Sequence, residues 1–391
     1  MTTPQIGYCT NVHAGANLDQ TRTNLLRYAC VVKEKFSPTS PMGIGLWLSA
    51  SSAARLVETH QVTGFAEWLR EVGLLPFTLN GFPYGDFHRD IVKHAVYHPT
   101  WFEPERLAFT KNLIAILHEL LPEGLRGSIS TVPIAWGTPS LTTQQIAGAV
   151  EALRDVANTL SKLEKETGRY ICLCLEPEPG CVLTRSEDVL EFFQVHLFRG
   201  GDEDILRRHI QVCHDICHQV VMFEDQAAVL RRYHDAGIGV GKIQVSSAVQ
   251  LPFADTAHEH QQAALTQLKT FDEHRYLHQT CVAQEDSTKY TFYEDLGDAL
   301  AAEKEPGTHS DWRVHFHVPI YLERFGHLRA SQKAILECIR RAAELELTDH
   351  FEVETYAWGV LPPEIQQPNL ASGIAEEMEW FRQSWNQMQN A

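Results

Sequence analysis

The sequence predicts an α/β chain folded as a (β/α)8 barrel with an insertion after its seventh strand. Three observations lead there. Short runs that are apolar at nearly every position alternate with longer segments apolar at helical spacing along the 391 residues. That is the pattern of a parallel sheet whose faces are covered by crossover helices. The runs number eight once "WRVHFHVPIY" is set aside as a loop or an extra hairpin. No G-x-G-x-x-G joins a strand to a helix near the start, which disfavours a doubly wound dinucleotide-binding sheet.

Taken in order, "IGYCTNV" is the first strand and leads into an apolar-periodic segment over 18–36; "GIGLWLSA" precedes "AARLVETHQVTGFAEWLREVG"; "LPFTLNGFPYG" precedes a His-rich loop and "RLAFTKNLIAILHELL". "GSISTVPIAWG" comes before "TTQQIAGAVEALRDVANTLSKLEKETG", where Thr142 or Thr143 can cap the helix start and Gly168 can end it. "YICLCLEPEPG" precedes "SEDVLEFFQVHLF", "HIQVCHDICH" precedes "FEDQAAVLRRYHDAG", "GKIQVSSAVQ" opens the seventh unit, and "HFEVETYAWGVL" is the eighth strand. The region 251–312 is the least regular and reads as an insertion in a single domain spanning 1–391, with hairpin strands at "YLHQTCVA" and "KYTFYE". "SGIAEEMEWFRQSWNQMQ" reads as a closing amphipathic helix.

Composition narrows the function classes. Fifty acidic against 33 basic residues give a formal charge of −17, which disfavours nucleic acid as a partner and gives no support to an anionic membrane surface. No apolar run is long enough to span a bilayer, so no membrane insertion is expected, and the start lacks a basic segment followed by an apolar one. The expected location is the cytoplasm. Nine cysteines, an odd number without zinc-knuckle spacing, several inside apolar runs, read as reduced core residues.

In such a barrel the reactive groups project from the carboxyl ends of the strands, and polar residues gather at those ends. Asn11 and His13 follow the first strand; Asn80, Asp86 and His88 the third; Glu176 and Glu178 the fifth. The sixth ends in His214, Asp215 and His218, the seventh includes Gln244, and Glu354 ends the last. The run "ICLCLEPEPG" is thus barrel wall ending in rim acids. A single carboxylate at a strand end can equally cap the next helix or pair with an arginine. Glu354, in an apolar run that should be well covered, needs a cation or strong hydrogen bonds. His315 and His317 are two apart on an extended segment and so share a face, as a surface pair or a converging one. Together, these carboxylates and imidazoles suit a mixed nitrogen and oxygen site for a divalent metal ion, Zn²⁺ or Mn²⁺ first.

The order "LEP" with Glu176, "D-x-x-H" with Asp215 and His218, Gln244, an H-x-H segment and "VET" with Glu354 resembles the xylose isomerase-like TIM-barrel superfamily of sugar phosphate isomerases, epimerases and endonuclease IV-type enzymes. The likeness spans essentially the whole chain. More narrowly, "GYCTNVH", "LEPEPG", "VCHDICH", "QVSSA", "HFHVPIY" and "VETYAWGVLP" are similar to the EboE family of metabolite-traffic proteins, barrels encoded in bacterial secondary-metabolite gene clusters.

The resemblance implies that Glu176 and Glu354 bind metal and exchange the substrate proton, that Asp215 is a metal carboxylate, and that His218 is a neighbouring ligand or substrate contact. Gln244 stands where most relatives have a metal-binding histidine, so His317 or His315 supplies the missing imidazole, or the site holds metal weakly or not at all. His13, His88, Asn11 and Trp136 are further candidates for metal or substrate. The implied activity is metal-dependent isomerisation or epimerisation of a small sugar-like or polyol metabolite. Hydrolysis of a phosphoester, with His88 and His94 as extra donors, and a non-catalytic metabolite-binding barrel are the alternatives. A homo-oligomer accords with relatives, among which dimers and tetramers are common.

Overall fold

The computed structural model describes residues 3–13, 15–283, 289–302, 311–367 and 369–389. The apolar runs form strands β1 (Gln5–Tyr8), β2 (Met42–Trp47), β3 (Leu74–Asn80), β4 (Gly127–Thr131), β5 (Ile171–Leu175), β6 (Ile210–Asp215) and β7 (Val240–Val245). They are followed by β8 (Val249–Leu251), β9 (Thr280–Ala283), β10 (Tyr290–Tyr293), β11 (Trp312–Val314), β12 (Arg324–Phe325), β13 (Leu328–Ala330) and β14 (His350–Val353). Parallel pairing runs β2-β3-β4-β5-β6-β7-β14-β1. A parallel bridge from Cys9 to Gly45 joins the two ends into a nearly closed barrel. The eight strands read from the sequence are these eight.

Local chemistry sets the helix ends. Thr142 accepts from the backbone N–H of Gln145 while the Gln145 side chain reaches back to the Thr142 backbone, and the helix Thr143–Thr167 stops at Gly168 with φ 73°. Its buried stripe of Ala149, Val150, Leu153, Val156, Ala157 and Leu160 faces the barrel, as the 3.6-residue period requires. The segment 18–36 is helical throughout, and the last helix, Leu370–Gln389, closes the chain. Gln332–Glu344, to which the sequence reading assigns nothing, is a helix with Ile335, Cys338, Ile339 and Ala342 buried on one face. No helix among the described residues is long and apolar enough to cross a membrane.

The antiparallel sheet β10-β9-β11-β8-β13-β12 grows from the chain directly after β7. Its β9–β10 hairpin, with Tyr290 opposite Ala283, is the one expected from "YLHQTCVA" and "KYTFYE"; residues 284–288 between them, and 303–310, lie outside the described residues. The "WRVHFHVPIY" run is split by this sheet. Trp312–Val314 pairs with β8 and β9, and the H-x-H segment leaves its end over the barrel mouth. His315 N–H donates to the Gln279 carbonyl at 2.9 Å and Val318 N–H to that of Ser247 at 3.1 Å, so both flanks of the segment are fixed.

Strand alternation puts Lys242 of β7 and Glu352 of β14 inside the barrel, where they form a fully buried ion pair. Gly45 makes room for it: a Cβ at that position would stand 1.3 Å from Glu352 Oε1. Burial alone would lower Lys242, but the attraction of Glu352 outweighs it and holds the ammonium above its ordinary value.

Candidate metal centre

The upper end of the barrel interior holds the acids. Glu176 follows β5, Asp215 ends β6 and Glu354 follows β14. One oxygen from each lies within 4.8 Å of the other two, and all three residues are buried. Gln244 sits on the same inward face as Lys242, in register with Asp215 and Glu352.

Asp215 and Glu176 each keep a buried oxygen without a partner. Asp215 Oδ1 accepts from the His218 backbone N–H at 2.9 Å and the Ser246 hydroxyl at 2.8 Å, while Oδ2 is buried without a partner. Glu354 Oε1 accepts from the side-chain amides of Asn11 at 2.9 Å and Asn80 at 3.3 Å. Glu176 Oε2 and both amide atoms of Gln244 are buried and unpaired. Buried polar atoms normally find partners, so a group of orphans on adjacent strands marks a place built for something else.

The histidines carry the same signature. His317 Nδ1 donates to the Glu354 carbonyl at 2.7 Å, which fixes the tautomer and leaves Nε2 as an unpaired lone pair. A ligand atom of His317 lies within 4.8 Å of one each from Asp215 and His218. His218 Nδ1 donates to the Pro177 carbonyl at 2.9 Å. Gln279 directs its NH₂ at Glu178, 2.9 Å, and the Pro179 carbonyl, 3.3 Å. Its Oε1 therefore faces His315 Nδ1 at 2.7 Å and makes that nitrogen the donor. The Nε2 atoms of His218 and His315 then meet at 3.2 Å, two lone pairs with no proton between them in the neutral rings. Glu178, His218 and His315 form a second group of converging ligand atoms.

Charge distribution follows from burial. Burial first, then Glu354 and Asp215, raise Glu176 well above the carboxylate range. Burial and then Asp215 push Glu354 to about 8, burial raises Asp215, and burial brings Glu178 to about 7 against the pull of Tyr97 and Gln279. Burial lowers His317 to about 4, His218 to about 3 and His315 well below the ordinary value. With His315 neutral, its 3.6 Å approach to Glu178 is not an ion pair. Three acids that resist ionising beside imidazoles that resist protonation fit a divalent cation, which favours carboxylate and neutral imidazole together.

The remaining sequence candidates lie apart from these groups. His13 Nε2 is bonded to the Tyr8 hydroxyl at 2.8 Å and the ring stacks on Tyr28. His88 Nε2 bonds the Asn11 carbonyl at 2.5 Å, and exposed Asp86 accepts from the His88 backbone. His94 approaches Glu294, and Trp136 packs behind Tyr97 with ring centres 5.0 Å apart. His214 turns outward to Gln226. Gln279, Tyr97, Ser246 and the Lys242–Glu352 pair escape the sequence reading. For the pair a signal existed: "GKIQV" and "FEVE" each carry two polar residues at period two on strands read as buried.

No family model matches the sequence, and no curated protein matches it. Among solved structures, the chain is similar to a xylose isomerase-like TIM barrel protein from Mycobacterium smegmatis in complex with magnesium. That likeness has 13% identity, covers 99% of each chain and has a TM-score of 0.53. The probable 3-DHS dehydratase AsbF involved in petrobactin synthesis from Bacillus anthracis aligns over 97% of this chain and 98% of its own, at 13% identity and TM-score 0.49. A D-tagatose 3-epimerase-like protein aligns over 99% and 98%, at 10% identity and TM-score 0.49. The fold is the xylose isomerase-like TIM barrel with an added antiparallel sheet.

Proposed function

We propose that the chain is a metal-dependent isomerase or epimerase acting on a small polyol or sugar-like metabolite. The observation that supports this most is the convergence of Glu176, Asp215 and Glu354 oxygens within 4.8 Å, buried, with Lys242 committed to Glu352 below them. Glu176, Asp215, Glu354 and His317 would hold the ion, Zn²⁺ or Mn²⁺, with the Gln244 carbonyl as a weaker donor; His317 takes the part of the imidazole that Gln244 does not offer. When bound, the metal supplies polarisation of a substrate carbonyl and a seat for the adjacent hydroxyl.

The chain's own residues do the rest. Glu176, whose Oε2 has no other partner, removes the carbon-bound proton, and Glu354, steadied by Asn11 and Asn80, returns one. Burial raises both acids above the ordinary carboxylate range, Glu354 to about 8, which suits them to hold and pass on a proton. Phe87, Tyr276 and Tyr356 line the cavity above the site with packed aromatic surface. The likeness of the sequence phrases to the EboE family supports a place in secondary-metabolite processing or traffic.

The test is metal analysis coupled to solvent deuterium exchange. Stoichiometric metal that is lost in Glu176→Ala and Glu354→Ala, with deuterium entering substrate carbon, supports the reading. Metal without exchange on any oxygenated substrate favours a second one, a binding barrel without turnover, for which Gln244 is the motivating residue. The Glu178–His218–His315 group supports a third, hydrolysis using a second ion, and would appear as two metals per chain.

A further inference from the structure

The cavity over this site, about 550 Å³ with its open mouth included, has a floor and walls of opposite character. The floor is the polar cluster already described. The walls are carbon: Phe82, Phe87, Val92, Val96, Tyr276 and Leu277. Phe87 and Tyr276 lie 5.0 Å apart at 34°, and Tyr356 stands nearly perpendicular to both, 5.5 and 5.1 Å away. Two of the three wall tyrosines have their polar ends engaged: the Tyr276 hydroxyl donates to the Phe87 carbonyl at 3.3 Å and that of Tyr97 to Glu178 at 2.8 Å, which leaves the Tyr356 hydroxyl as the polar point on this wall. Among the described residues lining the cavity the one lysine or arginine is Lys93, and it pairs with Asp295.

A free sugar presents hydroxyls along its whole length and loses water from each on entering a cavity, so it needs partners along the walls as well as the floor. A sugar phosphate needs in addition an unspent cation for its dianion. These walls offer a sugar little beyond the Tyr356 hydroxyl, and a phosphate no lysine or arginine that is not already paired. We propose that the ligand is a small metabolite with an oxygenated end, carrying a carbonyl beside a hydroxyl, attached to a flat apolar body. The oxygenated end reaches the floor and the body lies against Phe87, Tyr276 and Val96. This rests on the metal-dependent reading above and specifies its substrate class.

Isothermal titration of the zinc- or manganese-loaded full chain with three probes tests it: 2-hydroxyacetophenone, dihydroxyacetone and dihydroxyacetone phosphate. The three share the ketol and differ in what it carries. The expected result is binding of 2-hydroxyacetophenone at least about tenfold tighter than the other two, the order of gain from covering one ring. Tyr276→Ala and Val96→Ser, the latter at a partly exposed wall position, should each shrink that ratio about threefold or more while metal content stays at the wild-type level. Equal affinities, tighter binding of the phosphate, no binding by any probe, or a ratio unmoved in both variants overturns the inference and leaves the metal reading standing. A wild-type chain that takes up no metal overturns both.

Discussion

His218 and His315 face one another through their Nε2 atoms at 3.2 Å, each with its Nδ1 proton already given to an oxygen. Two neutral rings so arranged repel. The contact is relieved by a cation drawn to both nitrogens, and Glu178 stands beside them with an oxygen that could join as a third ligand. Removing one ring by His315→Leu should therefore stabilise the metal-free protein relative to wild type and weaken binding of a second equivalent of zinc. Thermal melts with and without zinc read both effects, and a variant less stable in both states would contradict this account.

The three acids invite a prediction whose sign depends on metal. Glu176→Gln removes an acid whose ionisation burial and its neighbours Glu354 and Asp215 oppose in the native state but not in the unfolded chain, so without metal at neutral pH the variant should be more stable than wild type. With metal, the wild type should gain stability and the variant should gain little. Urea denaturation in chelator and in zinc separates the two.

His317 is the imidazole whose free nitrogen joins Asp215. His317→Ala should lower metal affinity about 100-fold or more, by comparison with the 10–100-fold cost of losing an outer partner. His13→Ala, whose ring is engaged with Tyr8 and Tyr28, should leave affinity unchanged. Competition against a chromophoric chelator measures both.

Lys242→Met leaves Glu352 buried without its cation and should cost about 3–5 kcal/mol. Adding Glu352→Gln should recover much of that loss, because the stranded charge is then gone. A double-mutant cycle by urea denaturation would show non-additivity; purely additive losses would deny the coupling.

Glu377 gives a pH dependence away from the metal residues. It accepts from the Ile320 backbone at 3.1 Å, Thr355 at 2.6 Å and Trp358 at 3.2 Å, yet burial prevails and pushes its carboxyl up to about 7. The native state thus keeps a proton that the unfolded chain, with a carboxyl near 4.5, has released. Stability contributed by this group is present below pH 4.5 and lost as pH rises to about 7, up to about 3 kcal/mol. Glu377→Gln should make the fall in stability across that window shallower than in wild type, as followed by urea midpoints from pH 4.5 to 8.

Much of the barrel was legible because parallel strands are buried on both faces and declare themselves as apolar runs. The capped helix Thr143–Thr167 was legible because its end residues carry their own geometry. The convergence of Glu176, Asp215 and Glu354 followed from the rule that strand ends gather at one mouth. Tyr97 and Gln279 were not legible: their meeting with Glu178 depends on how a loop and the added sheet fold over the barrel, and neither leaves a periodic trace. Nor does sequence spacing distinguish His13, turned to Tyr8, from His317, turned to Asp215; both simply sit near strand ends.

The H-x-H segment hangs from the added sheet, not from a barrel strand. The excursion after β7 is therefore no ornament that trimming would merely shorten, since its removal would take away two imidazoles, the Gln279 clamp and the Tyr276 wall together. A leaner barrel without it would have to grow its nitrogen donor from the staves themselves. Position 244, where Gln244 offers an amide in register with Asp215 and Glu352, is the spot from which it would come.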